Sequence, residues 1–420
     1  MKTFHANIAV IGAGAAGMLA AWRSSQHTNG VILLEKNEKP GMKIRISGGG
    51  KCNVTHGGTI SVMLKQFQKN EEHFLRYAFH EFTNADIAEL LRRHGVETYE
   101  RENGKVFPNS HNADDVVNVF LSLLHSSNVK IFPSTPVKNI IKTENGDFHL
   151  ITQKEEFIAK KVILASGGSS YQKTGTTGDG FLWMKNFGHT ITPIRPALAP
   201  IYFSPTPPAE WQGVPIRDCE LKIMTENFCA SAKRGDLLIT HTGISGPAAL
   251  EASKEAFLAL EKGLPISAVV DFYPEHSNEE LEKILLEKLQ QQSAKQILSI
   301  IEQLIPVKLA ENFLVQSGIS PEVKAHQITK EARKRVLEKL KHWNIGTVSE
   351  ILLDRGEVTA GGVDLKEISS TTMESKLISG LFACGEILDI AGPVGGYNLQ
   401  AAFSTGYVAG ENAGTSLKLQ

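Results

Sequence analysis

Residues 6–17 read Ala6-Asn-Ile-Ala-Val-Ile-Gly12-Ala-Gly14-Ala-Ala-Gly17. A short apolar run stops at a glycine, and glycines then recur as GxGxxG at the head of a helical stretch from Ala13 to Ser24. The run, residues 6–11, reads as a buried parallel strand. Gly12 permits a tight turn, Gly14 lets a diphosphate approach the backbone, and Gly17 lets the helix pack close on the sheet. The next strand, Gly30 to Glu35 (GVILLE), ends on an acid 18 residues beyond Gly17. That carboxylate is placed to accept hydrogen bonds from an adenosine ribose, with the diphosphate at the helix N-terminus beside Ala15 and Ala16.

An acid at position 35 favours an unphosphorylated ribose, and so FAD or NAD over NADP. Two further glycine clusters choose between these. Ser47-Gly48-Gly49-Gly50-Lys51-Cys52-Asn53 follows soon after the acid, and consecutive glycines bring backbone amides close to a ligand. Near the other end, Gly385-Glu386 closes a strand, and Gly395-Gly396-Tyr397-Asn398-Leu399 opens a helix. A helix N-terminus aimed at a flavin ring stabilises its anionic reduced form. A nicotinamide dehydrogenase has no need of these loops, whereas FAD, extended across the sheet, uses both ends of the chain.

The 420 residues suggest two or three domains, and 41% apolar with 21% charged residues excludes disordered and fibrous classes. A net charge of −1 gives no bulk attraction to nucleic acid or anionic membrane. Four cysteines without a CxxC fit a reducing cytosol, and no stretch reaches the roughly 18 to 20 apolar residues of a membrane span. The expectation is a cytoplasmic protein with no membrane association. Its fold class is α/β: a Rossmann-like FAD-binding domain (1–190 and 355–420) interrupted by a β-barrel-like insert (191–275 and 343–354) and a helical insert (276–342). Helices are predicted at about 60–79, 84–94 and 113–126, and strands near 129–132, 137–143, 147–152 and 156–165. Ser277 or Asn278 is the expected cap of the first inserted helix.

The motifs GAGAAG, LLEK, ISGGGKCNVT, KVFPNS, ILASGGSSYQKTGTTGDG, THTGISGPAAL, VTAGGV and GEILDIAGPVGGYNLQAAFSTGYVAG occur in this order. In this the chain resembles a family of bacterial NAD(P)/FAD-dependent oxidoreductases that includes an aminoacetone oxidase and a bile-acid enone reductase. The resemblance covers nearly the whole chain. It implies a three-domain fold, bound FAD, and cofactor contacts that extend to Lys36, Lys43, Val137, Ala165, Ser166 and Gly167. The chain departs from the family at Lys51, where arginine is usual, and at Ser166, Ala391 and Ala401. The last two are expected near the flavin ring, so the resemblance does not carry a substrate with it.

One GxGxxG and no redox CxxC argue for FAD with a nicotinamide, NADH or NADPH, that is transient or absent, rather than a dedicated nicotinamide domain. The acid/base candidates are His241, set against a structural role in fixing a turn, and Tyr397, set against simple packing. Gly243-Ile-Ser245-Gly-Pro247 lacks the last glycine of a nucleophile elbow, and His80-Glu81 lacks the second histidine of a zinc motif, so no metal is expected. Cys52 with Cys384, and Cys219 with Cys229, read as packing residues before redox pairs. The basic run from Lys330 to His342 reads as a solvated helix face, with RNA or an anionic substrate as the alternative. The expected function is hydride transfer through flavin N5 on a small-molecule substrate, with NAD(P)H or a substrate C–H as donor, dioxygen or an activated C=C bond as acceptor, and no nucleic acid. An RNA-modifying flavoprotein and a non-catalytic flavin sensor are the alternatives; the oligomeric state is open.

Overall fold

β1 (Lys2–Ile11), α1 (Ala15–Ser25) and β2 (Val31–Leu34) form the opening βαβ unit of the computed structural model, which describes residues 2–417. Residues 1 and 418–420, at the ends of the 1–190 and 355–420 segments, lie outside the described residues. The chain divides into two compact units, Met1–Arg195 with Glu357–Gln420, and Pro196–Gly356.

In the first unit β1 is the middle of a parallel sheet. It pairs with β2 on one side, Ile8 opposite Val31, and with strand Glu155–Leu164 on the other, Ile11 opposite Leu164. Lys130–Phe132 extends the sheet beyond β2. The far edge of Glu155–Leu164 is shared: its first half takes the antiparallel hairpin Asn139–Lys142 and Phe148–Ile151, and its last three residues take Leu381–Ala383 in parallel. The β1 burial pattern ends in four buried residues, Ile8 to Ile11, as expected of a strand in the middle of a parallel sheet. A separate three-stranded antiparallel sheet joins Thr55–His56, Lys105–Pro108 and Thr98–Glu100.

The helix predicted at 60–79 is broken. Ile60–Leu64 and Lys69–Glu81 are separate helices, and Phe67 turns into the core between them. The second of these starts where Gln68 N–H donates to the Glu71 carboxylate at 3.0 Å, a capping interaction that resets the helix.

The second unit holds a closed six-stranded barrel in the order Ile201–Phe203, Gly243–Ser245, Cys229–Ile239, Pro215–Met224, Ser267–Asp271 and Trp343–Glu350. Five helices, Pro247–Glu261, Asn278–Gln291, Ile297–Ile301, Val307–Gln316 and Lys330–Lys341, share its core, where Trp343 packs on Trp211, Phe272 and Phe313. Ser277 caps Asn278–Gln291, accepting from Glu280 N–H at 3.2 Å. Cys219 lies opposite Gly235 and Cys229 opposite Met224, so the two cysteines do not face each other across the hairpin. Within the basic helix, Arg335 and Lys339 donate to the Ser317 and Gln316 carbonyls, and Lys341 pairs with the buried Asp271 at 2.9 Å. Much of that run's charge is spent inside the unit. No helix of the described residues is long and apolar enough to cross a membrane.

Candidate functional site

Four neighbouring parallel strands of the first unit end within one region, and each ends on an expected site residue. Ile11 leads into Gly12, Leu34 into Glu35, Leu164 into Ala165, and Ala383 into Cys384-Gly385-Glu386. Carboxyl ends of parallel strands are where open α/β sheets bind ligands.

The three glycines of the first turn differ in what a side chain would meet. At Gly12, with φ +100°, a Cβ would lie 2.4 Å from the Ala165 carbonyl, and at Gly17 it would lie 1.8 Å from the Gly12 carbonyl. At Gly14 it would meet nothing within 4 Å. Gly12 and Gly17 are therefore demanded by the fold, and Gly14 opens outward at the start of α1, which carries no side-chain cap. Glu35, 7% exposed, spends one carboxylate oxygen on Ala13 N–H and the other on Asn37 N–H, both at 2.7 Å. Each oxygen keeps a second lone pair for a ribose hydroxyl. Burial pushes the Glu35 carboxyl above its ordinary value, and the two backbone donors pull against that rise.

The C-terminal helix, Tyr397–Thr415, lies against α1 along a glycine seam. A Cβ at Gly406 would stand 2.4 Å from the Ala16 carbonyl, one at Gly410 2.4 Å from the Ala20 carbonyl, and one at Gly414 3.1 Å from the Ser24 carbonyl. Both numberings rise together, so the helices are parallel. Gly406 marks the level of Ala16, so the C-terminal helix begins about eight residues, or ~12 Å, ahead of α1. Its N-cap Gly396 is left-handed, also without a side-chain cap, because a Cβ there would meet the Thr55 carbonyl at 2.3 Å. Two uncapped helix starts of like direction are thus held on one seam.

The segment Ser47 to Cys52 leads into Thr55, the residue whose carbonyl faces Gly396. Gly48, Gly49, Gly50 and Cys52 all take positive φ. A Cβ at Gly48 would crowd Asn53 N and the Phe107 ring, whereas Gly49 faces open space. Asn53 Oδ1 is buried without a hydrogen-bond partner, and so is Ser166 Oγ after the strand ending at Leu164. Ser166 Oγ lies against Gly180, while the unpaired Asn53 acceptor follows the open Gly49 by four residues; unsatisfied buried polar atoms of this kind fit a polar ligand such as a dinucleotide. Lys43 pairs with Glu386 and donates to Ser170 Oγ at 2.7 Å, and Glu386 accepts from Thr359 N–H at 2.8 Å. Gly167, at φ +75°, turns the chain toward this group. Cys52 and Cys384 are fully buried; burial pushes the Cys52 thiol up to about 12 and Cys384 higher still, so both stay protonated.

Other expected contacts have local duties. Lys36 donates to Asp179 at 2.7 Å and to the Gly175 carbonyl, Ser47 Oγ to the Ile44 carbonyl, and Val137 is buried in the loop before Asn139. Asn398 turns back on its own loop, accepting from Gly392 N–H and donating to the Gly392 carbonyl at 2.9 Å, while Leu399 is half-buried. Tyr397 is 6% exposed, its ring stacked on His56 at 4.6 Å and edge-on to Phe67. His241 is exposed at the turn between Cys229–Ile239 and Gly243–Ser245, where Thr240 Oγ1 accepts from Gly243 N–H.

Sequence reasoning missed the pins of this cradle. Thr55 Oγ1 donates to Gln400 Oε1 at 2.6 Å, and Gln400 Nε2 donates to Ser404 Oγ and the Phe82 carbonyl. This buried network locks the glycine segment to the C-terminal helix. Thr359 Oγ1 accepts from both Ser169 and Ser170 N–H. Ser170 and Thr359 stand inside quoted motifs, but nothing in their spacing shows that they meet.

Residues 6–412 match the HI0933-like protein Rossmann domain. The chain is 32% identical over 412 residues, 97% of its length and 98% of the other, to the ribosomal RNA dihydrouridine synthase of Haemophilus influenzae. It is 29% identical over 408 residues, 97% of its length and 98% of the other, to the 3-dehydro-bile acid delta(4,6)-reductase of Clostridium scindens. In fold it is like the 3-ketosteroid delta1-dehydrogenase of Sterolibacterium denitrificans, with a TM-score of 0.53 at 12% identity, covering 99% of this chain and all (100%) of that one.

Proposed function

Because the chain belongs to the HI0933-like Rossmann flavoprotein family, we propose that it is an FAD-dependent reductase that saturates a carbon–carbon double bond conjugated to a carbonyl. The observation that carries the cofactor is the pair of parallel, uncapped helix starts offset by ~12 Å on one glycine seam. The reaction class comes from the two relatives, whose names share one chemistry. Making dihydrouridine saturates the uracil C5=C6 bond conjugated to C4=O, and a delta(4,6)-reductase saturates bonds conjugated to a ring ketone.

Saturation adds one hydride and one proton across the double bond. FAD, when bound, would supply the hydride through its N5 atom. The chain's own part is to hold and orient. Glu35 would take the ribose hydroxyls, the start of α1 the diphosphate, and Asn53 and Ser166 the remaining polar edges. The start of the C-terminal helix would favour negative charge on a ring placed before it. NADH or NADPH is the proposed electron donor. His241 is the proposed proton donor, and Tyr397 the second candidate.

For the substrate we carry a uracil of ribosomal RNA first, because the relative named for it matches end to end at 32% identity. A small-molecule enone is the second reading, favoured by the 29% match. The test is anaerobic. Flavin absorbance of the purified protein is bleached with NADH or NADPH, and deproteinised ribosomal RNA from cells lacking the protein is then added, or a 4,6-dien-3-one steroid. Reoxidation by the RNA, with gain of two hydrogens on a uridine by mass spectrometry, supports the first substrate. Reoxidation by the steroid alone moves the substrate to the second. Absence of bound flavin, with none taken up on adding FAD, overturns the whole reading.

A further inference from the structure

The three-stranded sheet sorts its side chains by charge. In its register His56 lies opposite Lys105 and Tyr99 opposite Phe107, so these four share one face. Arg101 joins them: its guanidinium stands 4.1 Å over the Phe107 ring and 5.9 Å from the Tyr99 ring, and it donates to the Tyr99 hydroxyl at 3.2 Å. His111 extends the row, its ring edge-on to Tyr99 at 5.3 Å. The carboxylate of Glu100 points to the opposite face, because Glu100 pairs with Val106. Arg101 and His111 are exposed, and Tyr99, Lys105 and His56 are half-exposed.

This face runs into the cofactor cradle at two places. Phe107 lies 3.1 Å from where a Gly48 Cβ would stand, and His56 stacks on Tyr397 at the start of the C-terminal helix. Lys105 shares its field with Glu357 beside Lys43, so Arg101 is the principal cation of the outer half. The neighbouring cleft, lined by His94, Asn109, Asn118, Glu97 and Asp115, carries two carboxylates and is unsuited to a phosphate chain.

We propose that the face formed by Tyr99, Arg101, Lys105 and His111 binds the single-stranded RNA flanking the target uridine. Resting on the ribosomal RNA reading above, it names the surface that would receive that substrate. The chemistry is that of single-strand recognition: flat rings on which bases stack, and cations that follow the phosphates. Arg101, already held over the Phe107 ring, loses little freedom when a base or phosphate joins it.

The test uses the full-length holoprotein and deproteinised ribosomal RNA from cells lacking it. Arg101→Glu and the double variant Tyr99→Ala with Arg101→Gln are compared with wild type for FAD content, bleaching by NADH or NADPH, and RNA affinity across a salt series. Both variants are expected to keep FAD and bleaching. Their RNA affinity is expected to fall more than tenfold, and the log–log salt slope to shrink by about one. Wild type and variants that bind and modify the RNA alike would overturn the surface while leaving the RNA reading standing. A wild type that neither binds nor modifies the RNA would overturn both. Displacement of the RNA by poly-glutamate at equal charge would mark a protein-docking or ion-exchange face, and would also overturn the proposal. Should Arg101→Glu lose FAD, the milder double variant decides by the same readouts.

Discussion

A single methyl group separates two kinds of glycine in the first turn. Gly14 has an ordinary extended backbone, φ −85° and ψ −168°, and open space where its Cβ would be, so Gly14→Ala strains nothing but the ligand's approach. It is expected to leave the thermal midpoint of the apo protein within the effect of a changed N-cap, about 1 kcal/mol, while FAD affinity falls at least tenfold. Gly17→Ala puts a methyl 1.8 Å from the Gly12 carbonyl, and is expected to cost the fold itself about 3 kcal/mol or more. Denaturant titration with and without FAD separates the two, and equal losses of stability would refute the assignment. Glu35 gives the pH counterpart. Burial raises its pKa above 4.5, so the apo protein pays for the ionised form as pH rises past the ordinary carboxylate range, whereas a ribose acceptor needs that form. FAD affinity is therefore expected to weaken as pH falls through the raised Glu35 pKa. Glu35→Gln should bind FAD roughly 10- to 100-fold more weakly, with that dependence removed, as followed by flavin fluorescence quenching.

Elements follow the same logic at larger size. The seam between α1 and the C-terminal helix admits no side chain, because the opposing atoms at Gly406 and Gly410 are backbone carbonyls. Gly410→Val is expected to destabilise by about 1–3 kcal/mol and to release FAD, and Ala20→Gly should not rescue it, since the obstacle is the Ala20 carbonyl. Rescue by Ala20→Gly in a melting experiment would contradict the seam. Legibility also divides by element. β1, α1 and β2 were readable because an apolar run, three spaced glycines and a terminal acid each had one physical meaning. The barrel was readable from strict alternation, as in Cys219-Glu-Leu-Lys-Ile. The sheet at 55–56, 98–100 and 105–108 was not, since strands of two to four residues carry no measurable period. Helix Pro247–Glu261 was hidden by its buried alanines, which give little contrast between faces, although Pro247 at its first turn was a usable start signal. In the site, the backbone-facing glycines were legible. The partners of Asn398 and Gln400 were not, because a side chain that folds back on its own loop and one that crosses to Thr55 look alike in sequence.

At the scale of the molecule, the chain builds two separate cores. One cluster draws its residues from 8–184 and 363–413, and the other from 199–351, with no residue in common. The first unit does not need the intervening segment to close. Thr192 N–H donates to the Gly362 carbonyl at 2.8 Å, and Asp364 N–H to the Thr190 carbonyl at 3.0 Å, so the outgoing and returning strands already lie side by side within it. Every residue of the cradle, from Gly12 to Asn398, belongs to this unit as well. Replacing Pro196–Gly356 by a short Gly/Ser linker between Arg195 and Glu357 closes a loop whose ends are nearly in place, at small entropic cost. The shortened chain is expected to fold with a single thermal transition and to take up FAD. A hundredfold excess of FAD over its Kd should stabilise that transition by about 2.7 kcal/mol. Reduction of the substrate is expected to disappear, because His241 and the barrel are removed. In the intact protein FAD should then raise one of two calorimetric transitions and leave the other in place. A shortened chain that folds but fails to bind FAD would mean that the second unit completes the cofactor site, and that four strand ends and two helix starts are not enough to hold it.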